Sequence, residues 1–275
     1  MTETIPVYGM SKIWLEVRQL GRAIHFYRDI VRLPLVAVKG DMAFFDIDGQ
    51  QLVVTEPTAF PDGSVAGTIC HWAMAIDADD EGWYAQKVRE SGGKIYPISF
   101  GHYIDDPDGN LVEFWKRSQW SHPRRGPLAG AEIAPLRAIV ETALMVVDSA
   151  KGLNFYRDVL GLGNLESHPD TGEAFMRARL SSGQDILLFG PGTFMGVSRG
   201  GRNMRLTLAC ESVEAVVKFL GERSIEYIHL NEKVYFSDPF GHRYEVEAVD
   251  EWPLPPSGDP SEWSYPKRPT NPMNW

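Results

Sequence analysis

The chain has 275 residues, of which 43% are hydrophobic and 23% charged, enough for two domains that each bury a core. Its formal net charge of −10, with no basic stripe, excludes nucleic acid and anionic membrane as partners and points to a small molecule. No apolar run is long enough to span a bilayer, and the opening MetThrGluThrIleProValTyr lacks the basic flank and apolar core of a signal peptide, so the expected location is cytoplasmic.

In chain order, SerLysIleTrpLeuGluVal (11–17) alternates as a half-buried strand does. A helix is predicted over 20–30, with Ile24, Phe26, Tyr27, Ile30 and Val31 near helical spacing. Three short strands follow, LeuValAlaVal, MetAlaPhePheAspIle and GlnLeuValValThr, separated by glycine-containing turns. The order strand, helix, three strands then restarts at HisTrpAlaMetAlaIle (71–76), ValGluThrAlaLeuMetVal (140–146) and MetArgLeuThrLeuAla (204–209), with helices near 80–92, 150–160 and 212–224. Cys70 and Cys210 fall at equivalent strand positions, so neither a disulfide nor a zinc cage is expected. Residues 119–136, with Pro123 and Pro127, read as a linker between domains at 8–118 and 137–250. The Pro- and Trp-rich tail, 251–275, is expected to pack against a domain or a second subunit through Trp252, Trp263 and Trp275, which leaves a homodimer open.

A longer repeat overlies the modules. HisPheTyrArgAsp at 25–29 returns as AsnPheTyrArgAsp at 154–158, and TyrIleAspAspProAspGlyAsnLeuValGlu at 103–113 returns as TyrPheSerAspProPheGlyHisArgTyrGlu at 235–245. The AspProXGly element is a turn, with proline fixing φ and glycine accepting positive φ. Alternation divides each strand into two faces. Ile13, Leu15 and Val17 oppose Lys12, Trp14 and Glu16; Trp72, Met74 and Ile76 oppose His71, Ala73 and Ala75; Val112 and Phe114 oppose Leu111, Glu113 and Trp115.

Four such modules, with PheTyrArgAsp in the helix and AspProXGly before the last strand, resemble the vicinal oxygen chelate superfamily over about 10–118 and 137–248. That group includes glyoxalase I, bleomycin-resistance proteins, fosfomycin-resistance enzymes and type I extradiol dioxygenases. The resemblance implies an α+β fold of four βαβββ modules, paired into two tandem domains with cup-shaped mixed or antiparallel sheets. It also implies metal ligands on the first and last strands of a module. In the first cup His71 and Glu113 match two such positions, for a divalent Fe, Mn, Ni or Zn. Lys12 stands where the family usually has histidine, and Val53 where glyoxalase-type members carry glutamate. The third ligand is therefore missing, and a Lys12–Glu113 ion pair beside His71 is the alternative.

Tyr103, ten residues before Glu113, resembles the substrate-orienting tyrosine of extradiol enzymes, although the neighbouring histidines do not fit their spacing. The second cup is expected to hold Glu141, Arg205 and Glu245, with Tyr235, Arg243 and Glu247 nearby, as a salt-bridge or anion site without a cofactor. Three functions follow. The first is a metal-dependent dioxygenase or lyase acting on a small oxygenated substrate, with Lys12 as base, Tyr103 orienting, and Trp14, Glu16 and Trp115 lining the pocket. The second is a metal-free small-molecule binding protein of the antibiotic-sequestering type. The third is a structural or regulatory protein whose cups are filled by side chains.

Overall fold

The computed structural model describes residues 3–47, 49–56, 69–76, 81–90, 93–98, 101–116, 136–162, 164–167, 174–182, 184–190 and 205–252. The four modules appear in the predicted order. Module one is β1 (Gly9–Glu16), α1 (Leu20–Ile24) running into a π-helical turn (His25–Ile30), β2 (Leu35–Lys39), β3 (Met42–Ile47) and β4 (Gln50–Thr55). Module two is β5 (Ile69–Ile76), α2 (Glu81–Glu90), β6 (Ile95–Ile98), β7 (Gly101–Asp105) and β8 (Leu111–Lys116). Module three is β9 (Leu136–Met145), α3 (Ser149–Leu153) with a π-helical turn (Asn154–Val159), β10 (Asn164–Ser167), β11 (Ala174–Arg179) and β12 (Asp185–Phe189). Module four is β13 (Arg205–Cys210), α4 (Val213–Glu222), β14 (Tyr227–Leu230), β15 (Lys233–Ser237) and β16 (Arg243–Ala248). Helix starts are capped where the sequence supplies a cap: Asp148 accepts from the Lys151 amide at 3.0 Å and Ser212 from the Ala215 amide at 3.2 Å.

The α+β class and the four modules are as expected, but their partners differ. One eight-stranded sheet runs β14-β15-β16-β13-β1-β4-β3-β2 and joins module one to module four; the other runs β10-β11-β12-β9-β5-β8-β7-β6 and joins module two to module three. The seams are antiparallel. β1 meets β13 (Trp14 opposite Arg205) and β5 meets β9 (His71 opposite Ala143). Each first strand carries the same alternation and offers the same free edge, so its hydrogen bonding fits any of the other three. The pairing is decided elsewhere, by contacts between modules.

Two sets of such contacts are visible. The repeated tyrosine meets the repeated turn: Tyr27 donates to Asp106 at 2.9 Å, and Tyr156 to Asp238 at 2.7 Å. Each aspartate also closes its own turn, Asp106 with the amides of Asp108 and Asn110, Asp238 with those of Phe240 and His242. Gly109 and Gly241, at φ 84° and 90°, supply the positive φ that this turn requires. The second set is a pair of glutamines at matching turns of modules one and three. The Gln50 side chain donates to the Met10 carbonyl at 2.7 Å and accepts from the Ile139 amide at 2.9 Å. Gln184 accepts from the Met10 amide at 2.7 Å and donates to the Ile139 carbonyl at 2.9 Å. Gly9 lets these strands approach, because a Cβ there would collide with Gln184 and Ser182.

The predicted faces hold for the side chains described, which do not include those of Ala75, Ile76 and Trp115. Ile13, Leu15, Val17, Trp72, Met74, Val112 and Phe114 join Phe26, Tyr27, Tyr156 and Tyr244 in one contiguous core shared by both sheets. Lys12, Trp14, His71 and Glu113 turn to the other faces. Trp252, at the start of the tail, stacks on Tyr8 with ring centroids 6.2 Å apart. The linker (save residue 136), Trp263, Trp275 and the side chains of Cys70 and Trp115 lie outside the described residues. Cys210 is buried on β13, and burial pushes its thiol up to about 11. Among the described residues, no helix is long and apolar enough to cross a membrane.

Candidate metal centre

The module two–three sheet brings three ligand-type side chains together on the face turned away from the shared core. Parallel pairing of β5 with β8 sets Glu113 beside Ala73, and antiparallel pairing of β5 with β9 sets Glu141 on the other side of Ala73. His71 lies two residues before Ala73, on the same face, opposite Ala143. The two alanines leave the space that the three larger side chains share. His71 Nε2 lies 3.0 Å from Glu113 Oε2 and 3.2 Å from Glu141 Oε1, and one donor atom from each residue falls within 4.8 Å of the other two.

Electrostatics makes this cluster unusual. His71, Glu113 and Glu141 are 1%, 1% and 2% exposed. Neither Glu113 oxygen takes a hydrogen bond of normal geometry from the described residues, so its contact with His71 is close but misaligned. Burial, reinforced by Glu113 and opposed by the His71 hydrogen bond, raises the Glu141 carboxyl from 4.5 to about 7. Two buried carboxylates facing one imidazole leave negative charge and lone pairs uncompensated, a costly arrangement unless a cation or proton is shared among them. One imidazole and two carboxylates form a three-donor set suited to a divalent transition metal, with positions left for exogenous ligands. The residues fit such an ion.

A pseudo-twofold axis between β5 and β9 relates His71 and Glu113 to Glu141 and Leu187. Leu187 sits beside Ala143 on β12 as Glu113 sits beside Ala73 on β8. The fourth equivalent position is thus apolar. Around it lies a wall of Tyr103, Ala143, Leu187 and Phe189, backed by Tyr96, Leu111 and Met145. Tyr103 pairs with Glu113 in register and presents its ring to the His71 edge, with centroids 5.1 Å apart.

Of the residues singled out from the sequence, His71, Glu113 and Tyr103 come together here, and Glu141 joins them from the place expected to be the second cup. Lys12, Trp14 and Glu16 do not. They lie on the module one–four sheet, where Lys12 pairs with Glu247 instead of Glu113. A Lys12 base beside His71 is therefore ruled out, because the two residues belong to different sheets. The Glu141–Arg205–Glu245 network does not form either, although Arg205 does reach Glu245 at 3.3 Å. Tyr235 pairs with Glu245 in register, mirroring Tyr103. Trp115 pairs with Ala75 and Gly101 along the ladder. Sequence reasoning passed over Leu187, Phe189 and Lys233. Alternation places Lys233 two residues before Tyr235 on one face, a usable signal, whereas nothing local marks Leu187.

Comparison with known proteins agrees with this architecture. Residues 10–114 match the family model of the Glyoxalase/Bleomycin resistance protein/Dioxygenase superfamily. The metallothiol transferase FosB of Staphylococcus haemolyticus is 29% identical over 114 residues, 39% of this chain and 82% of that protein. A presumed dioxygenase from Bacillus subtilis superposes with a TM-score of 0.71 at 14% identity, covering 91% of this chain and 87% of that one. Glyoxalase I from Zea mays gives a TM-score of 0.58 at 19% identity, covering 86% and 91%. At these identities the structural likenesses establish the fold.

Proposed function

We propose that this chain of the vicinal oxygen chelate superfamily is a metal-dependent enzyme centred on His71, Glu113 and Glu141. The observation that carries the reading is the buried carboxylate–imidazole–carboxylate cluster, in which both oxygens of Glu113 lack hydrogen bonds from the described residues. A divalent Mn, Fe, Ni or Zn held by these three residues would supply Lewis acidity to a small substrate offering two neighbouring oxygens. The rest of the site follows from the chain itself. Ala73 and Ala143 keep the floor open, and the Tyr103 ring against His71 fixes the imidazole. The Leu187–Phe189 wall packs the apolar part of the substrate and excludes water from the reacting atoms. In the metal-free protein burial holds the Glu141 carboxyl up at about 7, so an ion bound there would displace a proton from it, and metal uptake should strengthen as pH rises through that value.

Between a lyase and a dioxygenase, the donor set favours the lyase. Non-haem iron oxygenases commonly use two histidines and one carboxylate, whereas one histidine and two carboxylates make a harder, oxygen-rich set suited to Lewis-acid chemistry. The metal-free binding role drew its strength from the missing third ligand, and Glu141 removes that argument. The test is metal content of protein purified without chelator or nickel affinity, compared with His71→Ala, Glu113→Gln and Glu141→Gln. Near-stoichiometric metal in the parent, lost from all three variants, is the expected result. Folded parent protein that takes up none of the four metals on titration overturns the reading.

A further inference from the structure

Two open sheets have four edges, and a bare edge is a template for another strand. Three of the four are blunted. β2 has an irregular register between Leu35 and Ala37 and ends in Lys39. β6 contains Pro97, which has no amide to offer, and β10 contains Glu166. β14, TyrIleHisLeu at 227–230, has no lysine, arginine, carboxylate or proline and keeps an unbroken register with β15. All four of its residues are exposed. Tyr227, Ile228 and Leu230, at 38%, 46% and 44%, are three of the five exposed large apolar side chains among the described residues.

The hairpin fixes which backbone groups of β14 face outward. Asn231 and Glu232, at φ 52° and 61°, form a two-residue turn of type I′. Leu230 and Lys233 close it as a hydrogen-bonded pair, and alternation makes Ile228 and Tyr235 the next such pair. The amides and carbonyls of Tyr227 and His229 therefore point away from β15, to an edge that no described strand meets. That edge is complementary to itself. An antiparallel twofold through Ile228 pairs Tyr227 with the partner's His229 and His229 with the partner's Tyr227, so every outward backbone group finds a mate on both sides. Ile228 then meets the partner's Ile228 across the axis. Charge selects this register. Glu226, which is exposed, falls opposite the partner's Leu230, beside the partner's Lys233. An axis through His229 would set Glu226 against the partner's Glu232, a like charge. An axis through Tyr227 would run the pairing into Ser224, which lies outside the strand at φ 55°.

We propose that β14 is an interface for a second copy of this chain, joining two molecules edge to edge into one sheet of sixteen strands, eight from each. The pairing is isologous and closes at the dimer, because the same strand is used on both sides. Backbone hydrogen bonds at Tyr227 and His229 hold it, and the exposed Ile228 and Leu230 of the two copies gather into one apolar strip on one face. The contact is short, which suits a weak and reversible dimer. It lies on the module one–four sheet, so neither the metal centre nor its chemistry enters the argument.

Sedimentation velocity of the full-length protein over about 1–300 μM is expected to show a reversible monomer–dimer equilibrium. Ile228→Lys, which opposes two ammonium groups at the axis, should weaken the dimer about tenfold or more. Because Ile228 is exposed, that variant should keep the parent's urea midpoint. Val38→Lys, on the opposite edge of the same sheet, should leave the dimer intact. Register is read by crosslinking. Ile228→Cys should form an intersubunit disulfide under mild oxidation, since the axial pair is about 4.5–5.5 Å apart at Cβ, whereas Leu230→Cys should not. Protein that stays monomeric to the highest concentration overturns the proposal. So does a dimer that survives Ile228→Lys, a dimer lost in Val38→Lys, or crosslinking of Leu230→Cys as fast as that of Ile228→Cys.

Discussion

At the scale of single residues, two carboxylates in the two cups have been driven in opposite directions. Burial, aided by the neighbouring Glu113, raises Glu141 to about 7. A carboxyl whose folded pKa lies above its unfolded value of about 4.5 holds its proton more tightly when folded, so stability falls as pH rises between those values. Metal-free protein should therefore lose stability from about pH 4.5 to 7, by at most about 1.4 kcal/mol per pH unit, and Glu141→Gln should flatten that slope in urea titrations. Glu247 is the mirror case. Burial pushes it up, but Lys12 and Lys233 together outweigh burial and hold it at about 2. Its stabilisation is complete above about pH 4.5 and lost as pH falls through about 2, on the order of 3 kcal/mol in all. Thermal melts at pH 5 and pH 2.5 should show Glu247→Gln less sensitive to acid than the parent; equal loss in both would refute the assignment.

At the scale of elements, the repeated motifs are explained by one another. PheTyrArgAsp occupies a π-helical turn that buries two adjacent aromatics, Phe26 with Tyr27 and Phe155 with Tyr156. Their tyrosine hydroxyls reach the AspProXGly turn of the next module. The sequence showed both motifs but not the bond between them, because they lie about eighty residues apart and neither implies the other's position. Tyr27→Phe removes a hydroxyl from buried Asp106 and is expected to cost about 1–3 kcal/mol, measured by urea unfolding. Gln184→Leu should cost at least as much, since it strips partners from the Met10 amide and the Ile139 carbonyl, where β1 of one sheet meets β9 of the other. A near-neutral Gln184→Leu would mean that the contact between the two sheets is held by packing alone.

For the whole molecule, the halves of the chain are interlocked. Each sheet takes one module from residues 9–116 and one from 136–248, so each cup is completed only when both halves are present. His71 and Glu113 come from the first half and Glu141 from the second. A protease site engineered between 119 and 136 should thus yield, after cutting, two fragments that co-elute on size exclusion in native buffer and keep the metal. Fragments that separate without denaturant would contradict the continuity of the sheets across the halves. The same interlock means that neither cup needs a second subunit to be closed.

The sequence alone determined the four modules, the inward and outward faces of their strands, and the inventory of side chains that could do chemistry. It did so because alternation and turn composition are local, and each strand records them independently. His71, Glu113, Glu141, Lys12 and Arg205 were all legible as inward-facing. Which of them meet was not. Four first strands with equivalent edges permit more than one pairing, and local pattern is the same in each. Only tertiary structure, through the Tyr–Asp contacts, the paired glutamines and the packed core, placed module two against module three. That choice set Glu141 rather than Lys12 beside His71, turning an incomplete ligand set into a three-donor cluster and leaving Lys12 and Arg205 to pair with Glu247 and Glu245 on the other sheet.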